Sequence, residues 1–209
     1  MSQRTNIIRM RGSLKNSKPW LCFTATADNS SIQLNIIGAP KAISLETSFD
    51  GKTWNTYTWN GSTGAAITLA KVDDKVYWRA ISENSITYAG ANYYKFAASA
   101  GARFNISGNV LSLISKHCKP SDYNEVGFSN MFIVPCNISE LILPDRITTR
   151  VLNYTFCYFG VTGIAHFDKI LSCNGNYGLC RTFQQSQITS LILGITDWGT
   201  SKFTCWHMN

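Results

Sequence analysis

The chain has 209 residues, of which 44% are apolar, 12% aromatic and only 15% charged; that make-up excludes a disordered chain and suits one or two domains with cores of their own. No run reaches the roughly 18 uninterrupted apolar residues of a membrane helix, so no membrane span is expected. The formal charge of +7 is concentrated at one end, where Arg4, Arg9, Arg11, Lys15 and Lys18 occur before any acid, and the rest of the chain is close to neutral.

Residues 1–19 therefore read as a basic N-terminal arm. Ile7, Ile8 and Met10 lie among its charges, and no periodicity is long enough to fold alone. The arm is expected to be a solvated tail or an attachment element for a partner protein. Five dispersed charges are a weak footprint for nucleic acid, which is placed behind both. Met1–Arg11 lacks the apolar segment of a signal peptide, so if Met1 is the natural start the chain is made and folded in a cytosol.

Residues 20–107 alternate. Trp20–Ala27, Ile32–Ile37, Ile43–Phe49, Thr53–Trp59, Ala66–Leu69, Val76–Ile81 and Tyr93–Ala97 predict seven short strands. Breaks such as Asp28–Ser31, Gly38–Pro40 and Asp73-Asp74 separate them, which is the spacing of an antiparallel β-sandwich. Within Lys75–Ala80, alternation places Val76, Trp78 and Ala80 on one face and Tyr77 and Arg79 on the other. Asp50-Gly51 predicts a hairpin turn of type I′.

Ser48-Phe-Asp-Gly-Lys-Thr-Trp54 is similar to the aspartate-box hairpin of sialidases and other sugar-active proteins, one residue shorter, and is read as a structural turn. Trp54, Tyr57 and Trp59 crowd the same hairpin, with Tyr57 and Trp59 on one face and Trp54 on the other. Exposed, they would make a sugar-stacking platform or a receptor surface; packing in a core or interface is the preferred reading.

Asn105–Cys118 reads as a junction, with Val110, Leu111 and Ile114 at helical spacing. A short helix there is expected to cap a second module, 108–209, in which a pattern recurs. The three copies are Phe128-x-x-x-Phe132…Ile138-x-x-Leu141-x-Leu143, Leu152-x-x-x-Phe156…Val161-x-x-Ile164-x-His166 and Leu179-x-x-x-Phe183…Ile188-x-x-Leu191-x-Leu193. A fixed period of this size signals stacked units, none of which can bury its apolar face alone. The i, i+4 aromatic pairs suggest a helical turn and the apolar endings a short strand, so Phe132, Leu141, Phe156, Ile164, Phe183 and Leu191 are the expected repeat core. His166 then replaces the last apolar residue of the second copy. A fourth start at Phe203 and Trp206 either folds back as a cap or leaves an assembly or receptor-contact surface at the end of the ladder.

The string Ile138-Ser-Glu-Leu-Ile-Leu-Pro-Asp-Arg-Ile-Thr-Thr…Asn153-Tyr-Thr-Phe156, with Ile188-Thr-Ser-Leu-Ile-Leu, resembles the leucine-rich repeats of bacterial surface proteins over about the last 80 residues. The resemblance implies a fold that is mainly β with short helices: an immunoglobulin-like sandwich followed by a short leucine-rich-repeat solenoid. Similar pairings occur in Bacteroides-type gut bacteria and in their phages. The implied function is a non-enzymatic virion structural protein of a bacteriophage, a fibre or decoration component, with the arm holding other virion proteins. A homo-oligomer, a trimer as many phage fibres are, and contact with a host-surface glycan or protein are also implied. A bacterial cell-surface adhesin is the alternative.

Chemistry is thin beside this. The seven cysteines include no C-x-x-C pair, and buried free cysteine packs as a small apolar residue. His117, His166 and His207 have no acid or nucleophile at a recognisable spacing, and no nucleophile elbow or phosphate loop occurs. No catalytic residue, cofactor or metal is expected; a glycan-active enzyme would rest on the aromatic hairpin alone.

Overall fold

The computed structural model describes residues 20–38, 42–84, 86, 92–116, 128–143, 146–147, 155–157, 161–167, 172–173 and 181–194, some strand residues by their backbone alone. The basic arm, Phe203 and Trp206 lie outside the described residues, as does the Pro144-Asp145 pair of the leucine-rich-repeat resemblance. The described chain is mainly β, with several sheets and none closed. No described helix is long and apolar enough to cross a membrane.

Alternation in the first half forms strands wherever it was expected to, with shifted ends. They are β1 (Leu21–Ala25), β2 (Ser30–Ile37), β3 (Leu45–Ser48), β4 (Asn55–Thr56), β5 (Trp59–Asn60), β6 (Thr63–Gly64), β7 (Ile67–Leu69), β8 (Lys75–Ala80) and β9 (Tyr93–Ala98). Thr53–Trp59 is not one strand: it divides into β4 and the start of β5. In β2 and β8 every second residue is buried. The antiparallel sheet β7-β2-β9 packs against the larger sheet through Leu34, Phe96, Phe23 and Phe104, with the rings of Phe23 and Phe96 4.7 Å apart.

A strand lies where the junction was expected. β10 (Phe104–Asn109) buries Phe104 and Ile106 and leaves Asn105 and Ser107 half-buried. A 3₁₀ turn, Val110–Leu113, follows in place of the expected short helix, capped by the Asn109 side chain, which accepts from the Leu111 N–H. The expected boundary at 107/108 falls inside β10. This strand is antiparallel to β1 on one side and parallel to β11 (Cys136–Ile142) on the other, so the sheet crosses the boundary without a break. β13 (Val161–Phe167) and β15 (Gln187–Leu193) continue it in parallel, completing the order β15-β13-β11-β10-β1-β8-β3-β4. A two-stranded parallel sheet pairs β12 (Arg146–Ile147) with β14 (Ser172–Cys173).

Beside the parallel strands runs a column of phenylalanines. Phe96, Phe132, Phe156 and Phe183 stack with ring centroids 5.5, 5.4 and 5.7 Å apart and interplanar angles of 26°, 17° and 9°. The backbone keeps the same register. The N–H of Phe96 donates to Met131 O (2.8 Å), that of Phe132 to Thr155 O (3.0 Å), and that of Phe156 to Thr182 O (2.9 Å). Each acceptor immediately precedes the next phenylalanine, so every ring is carried over the one before. The column begins at Phe96, in the first half of the chain, so β9 and β10 cover the apolar end of the repeats.

The aromatic segments do not form the expected helical turn. Asn130 and Arg181, each two residues before a stacked phenylalanine, have φ of 61° and 53°, which a continuing α-helix excludes. Turns closed by Met131 N–H to Phe128 O replace it, and the Thr155 hydroxyl donates to the same carbonyl.

The strand alignment is also corrected. Ile138 pairs with Gly163, and Gly163 with Ile188, so Val161 stands opposite Cys136 instead. A shift after Gly163 then pairs Ile164 with Ser190, Ala165 with Leu191, and Phe167 with Leu193. Ile164 and Leu191 are therefore not equivalent positions, and Phe167, not His166, occupies the place of Leu193. The physical reason is the three-residue step from Ile138 to Leu141. In a regular strand that step changes face; a register shift against β10 absorbs one residue, and both side chains are buried. β15 takes the same extra residue, and β13 does not. Phe132, Leu141, Phe156 and Phe183 are buried as expected, while the side chains of Ile164 and Leu191 lie outside the described residues.

Candidate binding face

The residues of the large sheet that point away from the core fall into rows. Register aligns Glu46 with Arg79, and Ser48 with Tyr77, Cys22 and Ser107. A further row runs Lys75, Thr24, Asn105, Asn137, Thr162, Gln187, over six strands. One flank of this face is aromatic and cationic. The other is a line of amides and hydroxyls.

On the aromatic flank, the Arg79 guanidinium lies 3.7 Å from the centre of the Trp54 ring and 5.4 Å from that of Trp20. Trp20 meets Trp54 edge-on at 4.9 Å, and Tyr77 meets Trp20 at 6.4 Å. The Nε of Arg79 donates to Glu46 Oε1. Stacking and this bond together fix the plane of the guanidinium. Along the polar flank, Asn137 Nδ2 donates to Asn105 Oδ1 (3.1 Å), and the Thr162 hydroxyl donates to Asn137 Oδ1 (3.4 Å). Beneath the face, Cys22 has its thiol pushed up by burial, against the opposing effects of Thr24 and Lys75.

The three aromatics of the hairpin separate. Trp54 belongs to this face. Tyr57 is buried, its hydroxyl accepting from the Leu34 N–H (2.8 Å) and its ring 4.7 Å from Trp78. Tyr57 is thus no part of a sugar platform: its hydroxyl satisfies a backbone group that would otherwise be unpaired in the core. Trp59 packs edge-on against Tyr57, and its Nε1 donates to Ile43 O. Gly64 makes room for the phenol, since a Cβ there would overlap the Tyr57 hydroxyl and Leu34 O. Trp20, Glu46, Tyr77, Arg79 and Asn137 were not singled out as site residues from sequence. The one available signal was the alternation that sets Tyr77 and Arg79 opposite Trp78.

The turn beside Trp54 is wider than the two-residue form expected for Asp50-Gly51. Six residues separate β3 from β4, and of the pair Gly51 alone has positive φ, 67°. Asp50 Oδ1 accepts from the N–H groups of Lys52 (2.7 Å) and Thr53 (2.8 Å), and the Gly51 N–H donates to Ser48 Oγ (2.7 Å). Side chains, not a tight backbone reversal, close the turn. Those bonds, with the Ser48 hydroxyl, hold the Asp50 carboxyl well below its ordinary 3.8. A depressed carboxyl pKa contributes stability that is present above the ordinary value and lost as pH falls below it. Acid titration followed by NMR should show Asp50 protonating below its ordinary range, with the Lys52 and Thr53 amide shifts moving in step. In Asp50→Asn those amide shifts should no longer titrate.

Among the described residues no three His, Cys, Asp or Glu side chains converge as a metal ion would need. Cys136 is buried, its thiol pushed up to about 12 by desolvation, which suits packing and not reactivity. Comparisons with protein-family models, characterised proteins and solved structures find no match for this chain.

Proposed function

We propose that this chain is a non-enzymatic virion structural protein of a bacteriophage, a fibre or decoration component whose outer sheet face engages a host-surface glycan or protein. The observation that carries the reading is that face: a guanidinium stacked on Trp54 beside Trp20, continued by an amide and hydroxyl row over adjoining strands. Groups held on strands are positioned more rigidly than groups on loops, as recognition without chemistry requires. The resemblance of the repeats to surface proteins of gut bacteria and their phages supplies the virion setting. Other virion proteins, gripped through residues 1–19, and further copies of the chain, as a trimer, are its proposed partners.

Antibody against the chain should decorate purified phage particles in electron micrographs, and a form lacking residues 2–18 should fold but fail to join them. Detection on uninfected cells alone would remove the virion reading and leave the cell-surface adhesin.

A further inference from the structure

We infer that the outer face takes an acidic saccharide, with Arg79 binding its carboxylate and the Asn105–Asn137–Thr162 row binding its hydroxyls. The inference deepens the recognition reading above by naming the ligand class. Glu46 occupies Nε of Arg79, and neither Nη group has a hydrogen-bond partner among the described residues. The side chain is 23% exposed. Those two groups are the fork that meets a carboxylate with two parallel bonds. The stacked Trp54 and the Glu46 contact already hold the fork in place, so little side-chain freedom remains to be lost on binding.

Charge and shape agree with this class. On the same face Glu46 offsets one positive charge, and Arg79 with Lys75 leaves an excess of one cation. Asp50 does not oppose it directly, because its carboxylate is turned into its own loop. Trp20 and Tyr77 offer apolar ring surface beside the fork, which suits the C–H faces of a sugar. Asn137 is in register with Lys75, three strand spacings or about 14 Å across the sheet, and Arg79 lies four residues further along β8, about 13 Å. Fork and row are thus roughly 19 Å apart, and the ligand is an oligomer that reaches from one to the other. An acidic peptide would satisfy the fork equally well. It would leave the row of amides and hydroxyls without the dense hydroxyls that match it.

The test is calorimetric titration of the full chain with hexa-galacturonate, its carboxyl-reduced galactose counterpart, digalacturonate and hexa-glutamate. Binding of hexa-galacturonate is expected, with at least tenfold weaker binding of the reduced form and of the peptide. Arg79→Lys keeps the charge but loses the fork and should weaken binding tenfold or more. Asn137→Ala should weaken the hexamer and leave the dimer unchanged. Circular dichroism and the melting temperature establish that each variant is folded; Trp54→Phe, a milder change at the stack, serves if Arg79→Lys is not. Equal binding of the acidic and reduced hexamers, preference for the peptide, or no saccharide binding overturns the inference. If the chain binds host cells while all saccharides fail, the recognition reading stands and the ligand class falls; if it binds neither, both fall.

Discussion

Replacing Phe156 by Ala should destabilise the protein by about 3–5 kcal/mol, the usual cost of truncating a fully buried phenylalanine. The ring is 0% exposed and lies between Phe132 and Phe183, at 5.4 and 5.7 Å. Both neighbours lose a stacking partner, and aromatic pairs contribute roughly 0.5–1.5 kcal/mol each beyond the area they bury. The backbone bonds from Phe132 and to Thr182 survive the substitution, so the loss should report on the side chain alone. Against a total of about 5–15 kcal/mol for a typical domain, this is enough to lower the urea midpoint sharply. Phe49→Ala is the comparison, because that ring is 61% exposed and should move the midpoint little. Equal midpoints for the two variants would remove the aromatic column as a source of stability.

How far this column could be read from the sequence depends on which residue is considered. The spacing of Phe132, Phe156 and Phe183 was legible because each copy keeps its aromatic in phase with its strand. Phe96 was not, because it lies in a strand of the preceding sheet and no repeat surrounds it. Burial of Leu141 was legible; its alignment was not. An apolar pair three residues apart reads equally well as a helical stripe or as an irregular strand, and only pairing with β10 decides between them. That ambiguity misplaced Val161, Ile164 and His166 relative to their neighbours.

The binding face was harder still. Trp54, Tyr57 and Trp59 are near one another in sequence, and a hairpin brings such residues together whatever their roles. The partners that matter to Trp54 come from other strands: Trp20 before β1, Arg79 in β8 and Glu46 in β3. Strand order, which local alternation does not encode, is what assembles them. The polar row has the same origin, since Asn105, Asn137 and Thr162 are ordinary outward residues until three parallel strands align them.

Gly108→Ala is expected to destabilise the protein by roughly 2–5 kcal/mol from backbone strain and overpacking together. Its φ is 82°, in the region that L side chains avoid, and a Cβ there would overlap the carbonyl of Trp20. The obstacle is backbone, so no rotamer change relieves it. Gly108 also sits where the β10–β11 register shifts, pairing with Leu141. Movement of β10 away from Trp20 would therefore disturb the contact with β1 and the first parallel pairing at once. Gly101→Ala separates the two causes: its φ is 81°, but no atom lies within 4 Å of the added methyl. That variant should lose only the conformational part, about 1–2 kcal/mol. The excess in Gly108→Ala then measures the overlap, and a Trp20 displaced by it should weaken ligand binding at the Arg79 flank as well. Equal losses in the two variants, read from chemical denaturation, would mean that β10 and Trp20 do not approach as closely as described.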